Sequence, residues 1–429
     1  MKGLRKILKA NLLLKITSLN ALVISIRLII SLVVQRLLAL TIGETGIAKI
    51  GQIRNLIQIL TSSSSLGTFH GVVKYVAEYK DKNAYLKNVF TTTFVFVLIG
   101  ALISSMILFF AASWITYQLF GDLEFLVVIK ILALLPIFIG VNRVFQGVIN
   151  GLSEYKKNAK IELISYMLSV LLLLIGLYNF QLEGVLIAII VTPVIQLLVV
   201  IYFFGSILKK YIKLKDLKLK VPYAKEMLAF TLMSFVSTIL LNYIELDIRT
   251  MITKKINIDE AGYWTAMNFL SRNYMVFSSS IFTLYIVPKF ARIYEGSAFK
   301  NEVINIYKTL LPLFGIGMLL VYIFRETIIE IVYPNFSGME PLFKWQLLGD
   351  FIRLATLVVS HQFLAKKMVK SFILTELMSL GLFFILSKYL VTIYGVEGVV
   401  MAHFYRYIVY FWVVAAIVRN YFINMKKAN

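Results

Sequence analysis

The chain has 429 residues, of which 59% are hydrophobic and only 15% are charged, and its formal net charge is +22. Apolar windows of about 20 residues recur from end to end, which is the length that a helix needs to cross a bilayer. These windows are continuous rather than alternating, which excludes a β-barrel, and they leave no length for a sizeable soluble domain. The absence of cysteine excludes disulfides and thiolate metal sites. We therefore predict an all-α polytopic membrane protein without a metal site.

The apolar windows predict about twelve transmembrane helices. The basic start of the chain is interpreted as the flank of an uncleaved first span, because the apolar run after it contains Arg27 and lacks a small-residue cleavage site. The predicted spans cover residues 14–38, 48–73, 88–112, 125–149, 159–179, 184–208, 226–250, 261–287, 303–324, 342–365, 370–391 and 397–419.

Basic residues sort onto alternate connections between these spans. One set of connections is rich in Lys and Arg, for example at residues 2–9, 80–87, 156–160, 209–220, 289–300, 366–370 and 419–427. The other set is acidic or neutral, apart from Lys254 and Lys255. The positive-inside rule then predicts that both termini are cytoplasmic and that the number of spans is even. Much of the +22 charge thus reflects topology and contact with anionic membrane lipids, and nucleic acid is not an expected partner.

The two halves of the chain resemble each other weakly at an offset near 216 residues. This offset sets Glu44 on Glu260 and Gly46 on Gly262, and it sets the serines of 62–64 on those of 278–280. We predict an N-terminal six-helix bundle at 1–208, a basic cytoplasmic linker at 209–225 and a C-terminal six-helix bundle at 226–429. Such a parallel repeat suits two pseudo-symmetric bundles that work by alternating access, although chance similarity between serine-rich helices is the alternative.

Several spans carry charges that are costly in hydrocarbon. An arginine at a helix centre costs about 2.5–3.5 kcal/mol on insertion scales, so Arg27, Arg272 and Arg353 are not expected to face lipid. In the second span, polar residues recur on one helical face at Arg54, Gln58, Thr61 and Ser65.

Local ion pairs are one interpretation of these charges. Asp350 with Arg353 and Glu245 with Arg249 have the spacing of such pairs. However, the sequence places no evident local carboxylate beside other arginines, namely Arg27, Arg54, Arg143, Arg272 and Arg406. We interpret them as an unpaired set that lines a water-filled cationic cavity for an anion. The serines of 62–65 either line the path or permit close packing of the second and eighth spans.

Three segments resemble the Wzx-type flippases for O-antigen and enterobacterial common antigen units: GTFHGVVKYVAEY (67–79), FTLMSF (230–235) and LFKWQLLGDFIRLATLVVSHQFLAKK (342–367). The resemblance runs over nearly the whole chain. It implies the multidrug/oligosaccharidyl-lipid/polysaccharide (MOP) exporter superfamily, with a MATE-like fold of two six-helix bundles around a central cavity.

The resemblance also implies the substrate, an undecaprenyl-pyrophosphate-linked oligosaccharide that is flipped from the cytoplasmic to the periplasmic leaflet of the bacterial inner membrane. Polysaccharide polymerase and chain-length machinery are the partners this implies. The candidate substrate-binding residues are Arg27, Arg54, Gln58, Lys74, Arg143, Arg249, Arg272 and Arg353. No cofactor is expected, but H⁺ or Na⁺ can be the coupling ion, and the candidates for coupling are Asp350, His361 and Asp247.

Other functions are less well supported by the sequence. A MATE-like drug or cation antiporter requires carboxylates in the cavity, whereas arginines outnumber acids here. A lipid II flippase typically has additional spans, which this chain lacks. A glycan polymerase or ligase generally needs a large periplasmic loop, and no outer connection is long enough, so an enzyme is disfavoured.

Overall fold

A computed structural model describes residues 12–80, 82–212 and 219–428, and all of its regular elements over those ranges are helical. The basic residues at 2–9 and the central part of the predicted linker, 213–218, lie outside the described residues. The helices are α1 (Leu12–Ser63), α2 (Phe69–Tyr79), α3 (Asn83–Phe110), α4 (Ala112–Phe120), α5 (Leu126–Leu132), α6 (Pro136–Gly151), α7 (Tyr155–Tyr211), α8 (Ala224–Ser234), α9 (Leu241–Lys255), α10 (Ile258–Ile281), α11 (Val287–Ala291), α12 (Gly296–Ile323), α13 (Arg325–Val332), α14 (Leu342–Ala365), α15 (Val369–Tyr394) and α16 (Glu397–Ala428). Two π-helical turns, Phe235–Leu240 and Phe282–Ile286, connect α8 to α9 and α10 to α11.

The two longest helices are each interrupted where the sequence predicts a connection. Gly43 in α1 has φ 58° and ψ −164°, and Gln181 in α7 has φ 48° and ψ −128°. The backbone of Gly176 lies against that of Gly184, since a Cβ placed on Gly176 would lie 2.5 Å from the carbonyl oxygen of Gly184. This proximity shows that the chain of α7 reverses at Gln181. In a continuous helix these residues would be about 12 Å apart. The fifth and sixth predicted spans therefore form a tight hairpin.

The described helices are consistent with about twelve spans. Eight helical segments are long and apolar enough to cross a membrane, and α5 with α6, bent by 51°, form a ninth. Two of the eight, within α1 and α7, each contain two predicted spans on either side of their interruption. The remaining predicted span, 261–287, corresponds to α10 with its π-helical turn and contains Arg272.

The serine run interrupts the second predicted span, which is a correction to the prediction of one helix over 48–73. Helix α1 ends at Ser63, and α2 begins at Phe69. Between them Leu66 has φ 44° and Gly67 has φ 67°, which a helix cannot accommodate. Non-helical backbone within a membrane is tolerated where it is buried in protein. We define residues 64–68 as the α1–α2 break.

Neighbouring helices enclose the α1–α2 break, and one of them donates a hydrogen bond to its backbone. The Thr231 hydroxyl of α8 donates to the Leu66 carbonyl at 2.6 Å, and Ser62 and Ser234 hydroxyls lie 2.7 Å apart. A Cβ on Gly100 of α3 would lie 2.4 Å from the Ser63 carbonyl oxygen. A Cβ on Gly140 of α6 would lie 2.7 Å from that of Ser64. The serines therefore pack against α3, α6 and α8.

The contacts divide the chain into two compact units. One unit contains Met1–Ala48 and Ile248–Asn429, and the other contains Lys49–Asp247. We call them the terminal unit and the central unit. Helices α1 and α9 contribute to both. These bounds follow contacts and do not coincide with the predicted halves at 1–208 and 226–429, which stay a prediction.

Helices α1 and α10 contact each other in the terminal unit at segments that the internal repeat aligns with one another. A Cβ on Gly262 of α10 would lie 2.4 Å from the carbonyl oxygen of Glu44 in α1. Beside this contact, the Thr45 hydroxyl donates to the Asp259 carboxylate at 3.1 Å. Gly262 thus allows α10 to approach the backbone of α1 closely.

Substitutions at two glycines of α7 test the hairpin. We expect Gly184→Ala to lower the free energy of unfolding by about 1–3 kcal/mol, because its Cβ would overlap backbone; it would lie 2.2 Å from the Gly176 carbonyl oxygen. Gly205→Ala is the matched control, since its Cβ would meet no atom closer than 3.7 Å. We expect that control to be neutral or to stabilise the helix by up to about 1 kcal/mol. Unfolding in detergent measures both, and equal effects would contradict the hairpin.

Candidate functional site

A buried carboxylate is the centre of a polar cluster in the terminal unit. Asp350 of α14 has 0% of its surface exposed. Its Oδ2 accepts hydrogen bonds from the hydroxyls of Ser271 and Tyr274 in α10 and, at 3.1 Å, from the Gln346 amide. Its Oδ1 lies 3.1 Å from His403 Nε2 in α16. We call Asp350 and these four partners the Asp350 cluster.

Two arginines place positive charge beside the Asp350 cluster. Arg353 Nη1 lies 3.8 Å from Asp350 Oδ1, which confirms the predicted i, i+3 pair, and the Arg353 side chain is one-third exposed. Arg406 of α16 is buried, and its guanidinium lies 4.2 Å from the Phe383 ring centre. It donates to the Tyr407 hydroxyl at 3.1 Å, but its Nε and Nη1 have no hydrogen-bond partner among the residues described. Arg353 thus pairs with the carboxylate, whereas Arg406 lies one turn after His403 on the same helix.

Helix periodicity and one glycine assemble the Asp350 cluster. Gln346, Asp350 and Arg353 are spaced i, i+4 and i+7, which places them on one face of α14. A Cβ on Gly349 would lie 2.5 Å from the His403 ring and 3.2 Å from the Phe404 backbone nitrogen. Gly349 therefore lets α16 approach α14 closely enough for His403 to reach the carboxylate.

His403 is a residue that the sequence analysis missed, and His361, a separate coupling candidate, lies outside the Asp350 cluster. The His361 ring stacks on Phe282 with centroids 4.6 Å apart, and its Nδ1 lies 2.6 Å from the Leu357 carbonyl oxygen. The available signal for His403 was its i, i+3 spacing from Arg406 in the last span, a second pair of basic side chains on one helix face.

In the central unit, the α1–α2 break brings a second group of site candidates together. Phe69 and His70 begin α2, and the Arg143 guanidinium of α6 lies 3.7 Å from the Phe69 ring centre. Arg143 is half-buried and His70 is exposed. Lys74 follows one turn later, with its Nζ 4.6 Å from the Tyr75 ring centre. Three basic side chains thus lie around the start of α2.

The remaining candidates of the central unit lie on α1 and α9. Arg54 is half-buried and Gln58 is exposed, in agreement with a polar face of α1. Ser65, the last member of the predicted stripe, is instead buried in the break and donates to the Thr61 carbonyl. Asp247 is half-buried. The buried Asn55 amide donates to the Glu245 carboxylate at 2.9 Å.

The remaining candidates of the terminal unit differ in exposure. Arg27 is half-buried and Arg272 is exposed. Arg249 is 2% exposed, and its Nε donates to the Thr265 hydroxyl at 2.7 Å. Its guanidinium also lies 5.0 Å from the ring centre of the buried Trp264. Arg249 is thus surrounded by protein.

The expectation of an unpaired arginine set is wrong for three of its five members. Arg27, Arg54 and Arg272 each have an interaction partner. Arg143 stacks on Phe69, and Arg406 alone combines burial with nitrogens that lack hydrogen bonds among the residues the structure covers. Within the described ranges, no group of three His, Asp or Glu is arranged to hold a metal ion. The arginines are therefore partnered side chains, several of them partly exposed.

Comparisons with known proteins give a family and a fold. A family model described as polysaccharide biosynthesis protein matches residues 13–294. The lipid III flippase of Escherichia coli K12 is 27% identical over 385 residues, which is 89% of this chain and 92% of that protein.

Two solved structures are similar over most of their length. An inward-facing multidrug resistance MATE family transporter of the MOP superfamily has a TM-score of 0.77 and 14% identity, covering 93% of this chain and 96% of that one. The lipid II flippase MurJ, in an inward closed conformation, has a TM-score of 0.71 and 14% identity, covering 94% and 87%. The predicted all-α, MATE-like fold is thus confirmed.

Removal of the Asp350 carboxylate tests whether it organises its surroundings. We expect Asp350→Ala to reduce the free energy of unfolding by about 3–5 kcal/mol, because buried donors lose their acceptor and Arg353 loses its ion-pair partner. Glu330→Ala, at an exposed acid of α13, is the control and should change it by no more than about 0.5 kcal/mol. Unfolding of both purified variants in detergent is the measurement. Similar stability of the two variants would show that Asp350 does not organise the cluster.

Proposed function

The chain belongs to the polysaccharide biosynthesis protein family, and from this premise we propose that it is a flippase for a polyprenyl-pyrophosphate-linked oligosaccharide. The observation that carries the proposal is the similarity to a lipid III flippase over 89% of this chain and 92% of that protein. The similarity extends over most of both chains. We therefore propose that the protein is a multi-pass membrane transporter and not an enzyme.

The proposed substrate combines a part that hydrocarbon excludes with a part that it favours. The pyrophosphate and sugars need a polar path, whereas the prenyl tail can stay in lipid. An arginine is suited to the pyrophosphate because its guanidinium binds phosphate oxygens in a bidentate manner and stays charged without a proton. Arginines that are partly exposed can exchange their present contacts for those of the substrate.

Exposure divides the cationic candidates by role. Arg54, Arg143 and Lys74 in the central unit and Arg27, Arg272 and Arg353 in the terminal unit are half-buried or exposed. We assign these six, with the exposed Gln58, to contact with the pyrophosphate and glycan. Arg249 is enclosed by Thr265 and Trp264, and we assign it a structural role instead.

The direction of transport follows from charge. In the proposed topology both termini are cytoplasmic and the protein lies in a bacterial inner membrane. An inside-negative potential favours outward movement of an anion by about 2.3 kcal/mol per charge per 100 mV. A doubly charged head would gain roughly 4–5 kcal/mol in this way. A polysaccharide polymerase and its chain-length machinery are the proposed recipients of the delivered unit.

The Asp350 cluster is the proposed site of ion coupling, and its chemistry favours H⁺ over Na⁺. Hydroxyls, an amide and an imidazole nitrogen surround the carboxylate, and they act as donors toward it. A hard cation requires several oxygen ligands instead. A proton that moves between Asp350 and His403 would change the charge of the carboxylate that Arg353 faces, without any added ligand.

Surface display of polysaccharide in the native host tests the proposed function. Deletion of the gene should abolish display, and a plasmid copy should restore it. We expect Arg54→Ala and Arg353→Ala to reduce restored display about 10–100-fold, because each removes a charge-assisted bond worth about 1.5–3 kcal/mol. Lys308→Ala, at an exposed lysine of α12, is the control and should restore display fully. Full restoration by both arginine variants would contradict a cationic substrate site.

His403→Gln tests the coupling separately from substrate binding. In vesicles that contain the purified protein, an imposed pH gradient should accelerate flipping by the wild type but not by this variant. Glutamine keeps a hydrogen-bond donor to Asp350 but carries no titratable proton. Substrate affinity should change less than the response to the gradient, because His403 is buried and reaches the candidate contact Arg353 only through Asp350. A variant that still responds to the gradient would show that His403 is not the coupling group.

A further inference from the structure

A large cleft in the terminal unit is separate from the Asp350 cluster. It lies between α12 and α16, has a volume of about 1010 Å³, and reaches Val359 of α14. This volume is at the upper end of the roughly 300–1,000 Å³ that ligand sites in proteins occupy. None of the candidate substrate or coupling residues lines it.

The inner part of the cleft is apolar. Phe299 and Val303 of α12 face Val418 and Phe422 of α16, and all four are buried. The Phe299 and Phe422 rings have centroids 5.0 Å apart, and a Cβ on Gly296 would lie 3.1 Å from Phe422 Cβ. The helices therefore meet at this aromatic contact and leave space elsewhere along the cleft.

The rim of the cleft is basic. Lys300 of α12 and Arg419 of α16 line it and are exposed, while Glu295 is its single acidic lining residue. A third cation stands beside the rim, since Lys366 Nζ lies 3.6 Å from the ring centre of Tyr294, another lining residue. The cleft thus combines an apolar interior with a predominantly cationic mouth.

The length and position of the cleft match one leaflet of a bilayer. Its lining runs from Gly296 to Tyr307 on α12 and from Ala415 to Met425 on α16. At about 1.5 Å per residue each stretch covers roughly 16 Å, about half of a hydrocarbon core of about 30 Å. Lys300 and Arg419 belong to the basic set of connections, so the mouth lies at the predicted cytoplasmic surface.

We propose that this cleft binds an anionic phospholipid of the cytoplasmic leaflet. The headgroup phosphate lies between Lys300 and Arg419, and one acyl chain lies against Val303, Val418 and Phe422. Charge complementarity selects an anionic headgroup, because basic pockets between membrane helices on the cytoplasmic side attract such lipids. The depth of the apolar part selects a lipid over a free phosphate. The proposal concerns a lipid that stays bound and does not depend on which substrate is flipped.

Native mass spectrometry of the full chain in detergent tests the proposal, with phosphatidylglycerol and phosphatidylethanolamine as probes. Wild-type protein should bind phosphatidylglycerol in preference to phosphatidylethanolamine. The double variant Lys300→Gln/Arg419→Gln should bind phosphatidylglycerol about 25-fold more weakly, because each basic residue contributes about fivefold. Lys308→Gln, on the same helix but outside the cleft, is the control and should bind as the wild type does.

Three further arms separate the alternatives. Lys300→Arg/Arg419→Lys should retain binding, which excludes misfolding as the cause of a loss. Ile304→Trp should weaken binding by filling the cleft, since Ile304 lines it and is partly exposed. Inorganic phosphate at millimolar concentration should not displace the lipid. Equal binding of the two lipids, an unchanged affinity in the double variant, or displacement by phosphate would each overturn the proposal.

Discussion

Asp350 has no exposed surface, yet it carries the charge that the four polar side chains of the Asp350 cluster surround. In the hydrocarbon core of a bilayer no water is available for hydrogen bonds, so every donor and charge needs a partner within the protein. The carboxylate meets this constraint for side chains from α10, α14 and α16 at once. Arg406 meets it only in part, through a tyrosine hydroxyl and two aromatic rings. A buried group that is only partly satisfied is costly for stability, and such a cost is common where function requires it.

The same constraint explains the α1–α2 break. Leu66 and Gly67 leave the helical conformation, but the carbonyl of Leu66 accepts from Thr231 of α8, and Gly100 and Gly140 bring α3 and α6 against the non-helical backbone. The break also sets the start of α2, so that Phe69 lies against Arg143 and His70 stays exposed. Packing in the central unit and the position of its basic side chains thus have one structural origin. Transporters of this size commonly place binding groups at discontinuous helices.

Much of the architecture could be predicted because hydropathy and charge act locally. The spans, the reversal between the fifth and sixth, and the Asp350–Arg353 pair depend on residues within one or two helical turns. The partner His403 could not be predicted, because it reaches Asp350 only through the close approach of two helices at Gly349. The break was missed because four serines are compatible with a helix, and only the neighbouring Gly67 indicates a left-handed residue. The arginines were expected to be unpaired for a related reason: contacts between helices are not visible in sequence.

The central claim is that this chain moves an anionic, lipid-linked glycan head across a bilayer. The most direct measurement uses vesicles with purified protein and a fluorescent polyprenyl-pyrophosphate oligosaccharide in both leaflets. A membrane-impermeant quencher added outside reports how quickly heads from the inner leaflet become accessible. The account predicts that the quencher removes nearly all of the fluorescence from vesicles with wild-type protein. With Arg54→Ala/Arg353→Ala protein at equal density, the loss of fluorescence should be close to the half that is lost in protein-free vesicles. Equal rates for the two proteins, or loss of only half with the wild type, would contradict the account.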